Sequence, residues 1–318
     1  MLQYLVIQLD DTSTSYCHYT NPKEGGHLMP LETLKRGILF GMTENLNIQI
    51  VYPPYTIPDE YNQAIDSIDC VRIKPVKECA NADAVVFNNL DEVDNLTLKE
   101  DVYYILRIDK KTLFDRYDKV SLLLEDVRRL NIVITDIESF NKEDFARYEN
   151  VLKHLNEKIK ELYSRGKMPQ CNILTDRIML TKMNNCGAGE TSITLAPNGK
   201  FYACPAFYLC DNDCSLGDLK SGLNIKNPQL YRLDHAPICR HCDAFQCHRC
   251  VWLNRKATLE INTPSHEQCV IAHLERNASR ELQMELAKCT NIFSSYEEIK
   301  EINYWDPFES EFFNLIYL

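Results

Sequence analysis

The segment CRHCDAFQCHRC, residues 239–250, places Cys239, Cys242, Cys247 and Cys250 within twelve residues. A thiolate is a soft ligand, and a Cys-x-x-Cys pair lets one turn of backbone direct two sulfurs at one metal. Zinc and iron–sulfur sites both use this spacing. Here four residues separate the two pairs, far fewer than the roughly 15–20 between paired zinc knuckles. The spacing therefore favours two metal centres over one closed tetrahedral zinc site. Cys186, Cys204 and Cys269 are further thiols able to complete them. His241 and His248 lie between the pairs, where a solvated neighbour is the commoner role, and neither is assigned as a ligand.

The rest of the chain supports metal ligation. It has 318 residues, 14 cysteines and a formal net charge of −11. The acidic balance argues against a duplex nucleic-acid partner, which needs clustered Lys and Arg. No apolar run approaches the roughly 18 residues of a membrane span, so no membrane partner is expected. The start, MLQYLVIQLDD, alternates like a strand and lacks a cationic leader, so it reads as a strand and not as a signal peptide. The expected location is the cytoplasm, where thiols stay reduced and a disulfide framework is disfavoured. In that setting the Asn-x-Ser triplet at Asn277 carries no meaning.

The elements that must position these thiols fall into two regions, with a boundary near residues 165–170. Before it, short apolar runs of strand length occur at 2–9, 47–52, 70–75, 84–87, 102–108 and 131–135. Between them are helical stripes: Leu31, Leu34, Ile38, Leu39 and Met42 after Pro30; Leu123, Val127 and Leu130; and Phe145 through Leu162 after Asn141. Such alternation predicts an α/β fold with a mostly parallel sheet and helices packed outside. After it, residues 192–204 alternate on both sides of Asn198-Gly199, a pair suited to positive φ in a hairpin turn. A helix over 271–289 turns Leu274, Leu282 and Leu286 inward, and an acidic, aromatic tail follows. Its Tyr304, Trp305, Phe308, Phe312 and Phe313 suit helix packing or dimerisation, or a cap on a peptide groove.

Taken in order, Cys186-x12-Gly199-x4-Cys204, then Cys239-x2-Cys242-x4-Cys247-x2-Cys250, then Cys269 resembles the seven-cysteine signature of the SPASM domain. This is the auxiliary-cluster module of radical SAM enzymes that modify peptides and proteins. That family has five and three residues in two gaps where this chain has four and two. The resemblance implies two [4Fe–4S] clusters. One would be held by Cys239, Cys242, Cys247 and Cys269, and the other by Cys186, Cys204 and Cys250 with a fourth ligand from Cys210 or Cys214, unless that site is open. Structural zinc is the alternative. Arg249, Arg255 and Lys256 either balance cluster charge or form a solvated basic strip.

A SPASM domain normally follows a partial (β/α)6 radical SAM barrel, which suits residues 1–170. The resemblance then gives a SPASM domain with a β-hairpin over 171–275 and a C-terminal helix and tail over 276–318. The radical SAM signature after the first strand is Cys-x3-Cys-x2-Cys, whose three thiolates leave one iron free to bind and cleave S-adenosylmethionine. This chain has DDTSTSYCHYT there, which puts Asp10 and Thr14 at the first two positions and Cys17 at the last. Where the family has Gly-Gly-Glu-Pro for the methionyl amine, Val51, Tyr52 and Pro53 precede Pro54. S-adenosylmethionine is therefore not an expected cofactor. Cys17 is open to three readings: a relic, a buried thiol, or a ligand or nucleophile helped by His18.

The stretches CGAGETSITLAPNGKFYACPAFY and CRHCDAFQCHRCVWLNRKATLE are similar to the CXXX repeat peptide maturase group. That similarity implies maturation of a ribosomally made, Cys-rich precursor peptide. It leaves open whether the chain is itself catalytic or serves as a peptide-binding or electron-relay partner of an active radical SAM protein. The competing reading is a non-catalytic interaction module stabilised by zinc or clusters.

Overall fold

The computed structural model describes residues 2–23, 25–210, 214–289 and 295–302. The five tail aromatics named above lie outside these residues. Each expected strand is present: β1 (Tyr4–Gln8), β2 (Asn47–Val51), β3 (Val71–Pro75), β4 (Ala84–Phe87), β5 (Tyr103–Ile108) and β6 (Arg129–Ile134). They pair in parallel in chain order, which gives the α/β architecture the alternation implies.

The sheet continues past the expected boundary. β7 (Gln170–Cys171) pairs in parallel with β6, β8 (Ser192–Leu195) in parallel with β1, and β9 (Phe201–Tyr202) antiparallel with β8. The result is one nine-stranded sheet in the order β7-β6-β5-β4-β3-β2-β1-β8-β9. The hairpin of the cysteine-rich region is thus an extension of the main sheet beside β1.

Period-two alternation decides which side chains face where. Leu5, Ile7, Ile48 and Ile50 pack in one cluster with the hairpin residues Ile193, Leu195 and Phe201. The intervening Val6, Val51, Ile73, Val86, Ile105 and Val133 meet on the other face. These small branched residues leave room there for the loops that carry the site.

The described helices are α1 (Leu31–Thr43), α2 (Asp59–Asp66), α3 (Lys110–Asp115), α4 (Tyr117–Leu123), α5 (Lys142–Ser164), α6 (Thr175–Met179), α7 (Pro205–Cys210), α8 (Val251–Thr258) and α9 (His266–Cys289). In α1 the buried stripe is Leu34, Gly37, Ile38 and Gly41, and Leu39 and Met42 are exposed, contrary to expectation. The glycines allow a close approach: a Cβ on Gly37 would lie 2.3 Å from Leu195 Cδ2. The second expected stripe also differs, because α4 stops at Leu123 and Leu130 belongs to β6. A three-residue match is too short to tell a helix from a helix end followed by a strand.

α5 matches its pattern. Asn141 caps it and forms a reciprocal capping box with Asp144, and Tyr148, Val151, Leu152, Leu155, Ile159 and Leu162 are buried. α9 lies along α5, with Asn156 Nδ2 donating to the Ala278 carbonyl at 2.8 Å. Leu282 and Leu286 are buried and Leu274 packs at the edge of the same core.

In the hairpin, Gly199 takes φ 74° while Asn198 does not enter the left-handed region. The Gly199 N–H donates to the Ala196 carbonyl at 2.9 Å, closing a turn with Pro197 and Asn198 at its centre and glycine just after. Asn198 contributes through its side chain, accepting from Lys200 N at 3.1 Å and donating to the Tyr202 hydroxyl at 2.9 Å.

Candidate cluster-binding site

The loop after β1 crosses over the sheet and is held there by Arg107 of β5. The Arg107 guanidinium donates to the Cys17 carbonyl at 3.1 Å, the Tyr19 carbonyl at 2.6 Å and Asn88 Oδ1 at 3.2 Å. His18 is pinned on the other side, with Nδ1 2.8 Å from the Ile134 carbonyl. A carbonyl only accepts, so Nδ1 carries the proton. Burial lowers the His18 pKa below its ordinary value, so the ring is neutral at physiological pH.

This loop forms one wall of a cavity of about 240 Å³. Cys17, Cys186, Cys204, Cys247 and Cys250 all line it. Cys186 and Cys204 come from the two ends of the β8–β9 hairpin, and Cys250 sits at the start of α8, where its sulfur accepts from Leu253 N at 3.4 Å. The thiols fall into two sets by electrostatic reach. Cys17 is acted on by Cys186 and Cys250, Cys204 by Cys17, Cys186 and Cys250, and Cys250 by Cys186. Cys247 is acted on by Cys239, Cys242 and Cys269.

Cys210 is exposed at the end of α7, and Cys214 packs against the apolar cluster around the hairpin. Neither lines the cavity. His248 lines it, with a pKa lowered by burial, and His241 is exposed on the Cys239–His241 turn.

Burial pushes these thiols up, Cys239 to about 11 and Cys250 to about 12, so without a metal they remain protonated. Metal binding would expel those protons. Several sulfurs already accept backbone N–H donors: Cys242 from Ala244 at 3.5 Å, Cys247 from Arg249 at 3.5 Å, and Cys186 and Cys204 from the residue two positions on. Such bonds stabilise thiolates and tune cluster potentials.

Arg249 is the strongest sign of an anionic occupant. It is 1% exposed, donates to the Tyr231 carbonyl, and among the described residues its Nε and Nη1 have no partner. It acts electrostatically on Cys186 of one set and Cys239 of the other. A buried, half-satisfied guanidinium is costly, and anionic thiolate-bound clusters on either side would compensate it. Arg249 is therefore not part of a solvated strip, whereas Lys256 is exposed and pairs with Glu138. Among the described residues no three His, Cys, Asp or Glu side chains stand close enough to hold one metal ion. A closed zinc site, with Zn–S near 2.3 Å, would require these sulfurs to draw together.

Of the residues in place of the first two signature cysteines, Asp10 is otherwise engaged, whereas Thr14 Oγ1 is buried with no partner among the described residues. Asp10 accepts from Thr12 N at 2.7 Å and from the Tyr55 hydroxyl at 2.9 Å, so its carboxylate braces its own loop. Thr14 lines a separate polar cavity of about 260 Å³ with Ser13, Ser15, Asn21, Pro54 and Arg107.

α9 contributes residues that cysteine spacing did not reveal. His273 Nε2 lies 3.6 Å from Cys242 Sγ. Glu275 lines the cavity, accepts from the Tyr148 hydroxyl at 2.8 Å, and is raised to about 7 by burial. Arg276 and Arg177 both pair with Asp243, the residue after Cys242. Glu275, Arg276, Ser279 and Gln283 are buried polar residues at helical spacing, a polar stripe on an inward face that was the one available signal.

The chain superposes on solved structures of AdoMet-bound anSMEcpe over more than 90% of its length. Native anSMEcpe with bound AdoMet aligns with a TM-score of 0.64 at 14% identity, covering 91% of this chain and 100% of that one. The fold is radical SAM-like. Native anSMEcpe with bound AdoMet and Cp18Cys peptide gives 0.62 at 13% identity, covering 92% of this chain and 100% of that one. Streptococcus suis SuiB bound to precursor peptide SuiA gives 0.51 at 16% identity, covering 83% and 74%. No protein family profile matches the sequence, and no curated protein matches it. Within this radical SAM-like fold, the cavity described above lies between the β1 loop and the cysteine-rich segment. Among the described residues no helix is long and apolar enough to cross a membrane.

Proposed function

We propose that the protein acts in maturation of a ribosomally made, Cys-rich peptide. In this reading it carries two [4Fe–4S] clusters, on Cys239, Cys242, Cys247 and Cys269 and on the set around Cys186, Cys204 and Cys250. The observation that carries it is one cavity of a radical SAM-like fold lined by Cys17, Cys186, Cys204, Cys247, Cys250 and buried Arg249, with Cys239, Cys242 and Cys269 within electrostatic reach of Cys247. The neighbouring structures bound to precursor peptide SuiA and to Cp18Cys peptide support a peptide substrate.

Iron–sulfur clusters supply one-electron transfer. Around them, Ile132, Ile134 and Ile271 offer an apolar wall, Gln246 and Asn131 offer polar contacts, and Glu275 can hold or release a proton near neutrality. Asp10 and Thr14 do not fit a cluster that must cleave S-adenosylmethionine, so an active radical SAM partner would supply that step.

Anaerobically purified protein should be brown, carry about eight irons per chain, and bind a synthetic peptide of repeated Cys-x-x-x units in a titration. Colourless, zinc-loaded protein after anaerobic reconstitution would overturn the cluster assignment in favour of a zinc-stabilised interaction module. Brown protein that ignores the peptide would overturn the substrate class.

A further inference from the structure

We infer that Cys17 is the fourth protein ligand of the cluster held by Cys186, Cys204 and Cys250. The inference rests on the cluster reading above and names the residue that completes one of its two sites.

Three features of the chain lead there. First, Cys17, Cys186, Cys204 and Cys250 line one cavity, together with Cys247 of the other set, whereas Cys210 is exposed and Cys214 packs elsewhere. Second, the Cys17 backbone is fixed from two sides, by Arg107 at its carbonyl (3.1 Å) and by the neighbouring His18 at Ile134 (2.8 Å). A ligand needs that kind of placement before the metal arrives. Third, a cubane takes four thiolates, and this set holds four. Each of its members also lies within electrostatic range of the other three.

The consequence concerns the β1 loop. Its last signature position keeps a cysteine while the first two have become Asp10 and Thr14. A thiol that could not alone hold a cluster on its own loop instead joins three thiols of the later segment. Closed four-thiolate coordination leaves no iron for substrate, so this cluster would relay electrons.

The test compares wild type, Cys17→Ala, Cys17→Ser, Cys204→Ala and Cys214→Ala, all purified anaerobically as the full chain, by iron and sulfide content and by EPR of the reduced protein. The expected result is that Cys17→Ala and Cys204→Ala each lose about half the iron while Cys214→Ala matches wild type. Cys17→Ser should retain iron with an altered EPR spectrum, because an oxygen would replace a sulfur on one iron. Serine is nearly the size of cysteine, so a merely structural Cys17 would leave that spectrum unchanged. If Cys17→Ala does not fold, the Cys17→Ser spectrum decides. Wild-type spectra and iron in both Cys17 variants, with loss in Cys204→Ala, overturn the inference and leave the two-cluster reading standing. A wild type without iron overturns both.

Discussion

Arg107, on a central strand, donates to the backbone carbonyl of Cys17 at 3.1 Å and to that of Tyr19 at 2.6 Å. One buried guanidinium thereby ties the β1 loop to the inside of the sheet. Arg107→Met would leave both carbonyls without a charged donor and should lower stability by about 3 kcal/mol, measured by urea unfolding. Arg107→Lys should recover only part of this, since an ammonium cannot reproduce the fork that reaches Cys17, Tyr19 and Asn88 together. Equal stability of Arg107→Met and wild type would show that the loop is held by other contacts.

Gly189 follows Cys186 closely and has φ 78°. A Cβ there would stand 2.3 Å from Cδ1 of Tyr231, whose carbonyl accepts from the buried Arg249 guanidinium. Gly189→Ala should therefore cost about 2–4 kcal/mol, combining left-handed backbone strain with overpacking. Thermal melting would register it as a lower midpoint, and an unchanged midpoint would mean that Tyr231 moves freely.

Asp243 accepts from Arg276 Nη2 at 2.8 Å and from Arg177 Nη2 at 3.3 Å, joining the Cys242 turn to α9 and α6. Removal of the carboxylate takes from both buried guanidiniums the anion that joins them, a loss on the order of 3–5 kcal/mol. Asp243→Ala should unfold at clearly lower denaturant than wild type, and Asp243→Asn should fall between the two.

Burial raises the Glu275 carboxyl from 4.5 to about 7. The native state then binds more protons than the unfolded chain between those values. This stability contribution is complete below about 4.5, declines as pH rises toward about 7 and levels off above it. The change is on the order of 3 kcal/mol at about 1.4 kcal/mol per unit. Glu275→Gln should flatten that limb of the stability–pH profile and be more stable than wild type above neutrality. A variant whose profile parallels wild type would assign the slope to other groups.

The six β-strands before residue 140 were legible because their apolar runs are bounded by turn residues, and α5 because Asn141 and the stripe from Tyr148 to Leu162 agree with each other. The α1 face was misread: spacing pointed to Leu39 and Met42, whereas packing against Leu195 selects Gly37 and Gly41. Glycine carries no hydrophobic signal, so closeness of approach is invisible to periodicity.

The order and spacing of the cysteines, the α/β alternation and the presence of Asp10 and Thr14 ahead of Cys17 are properties of the sequence by itself, since each depends on neighbours along the chain. Other features were decided only in three dimensions. The parallel pairing of β8 with β1 brings Cys186 and Cys204 to the loop that carries Cys17. The inward polar stripe of α9 brings Glu275 to the same cavity. Those adjacencies come from strand order and helix docking, which join residues far apart in the chain, and no local spacing encodes a distance through space.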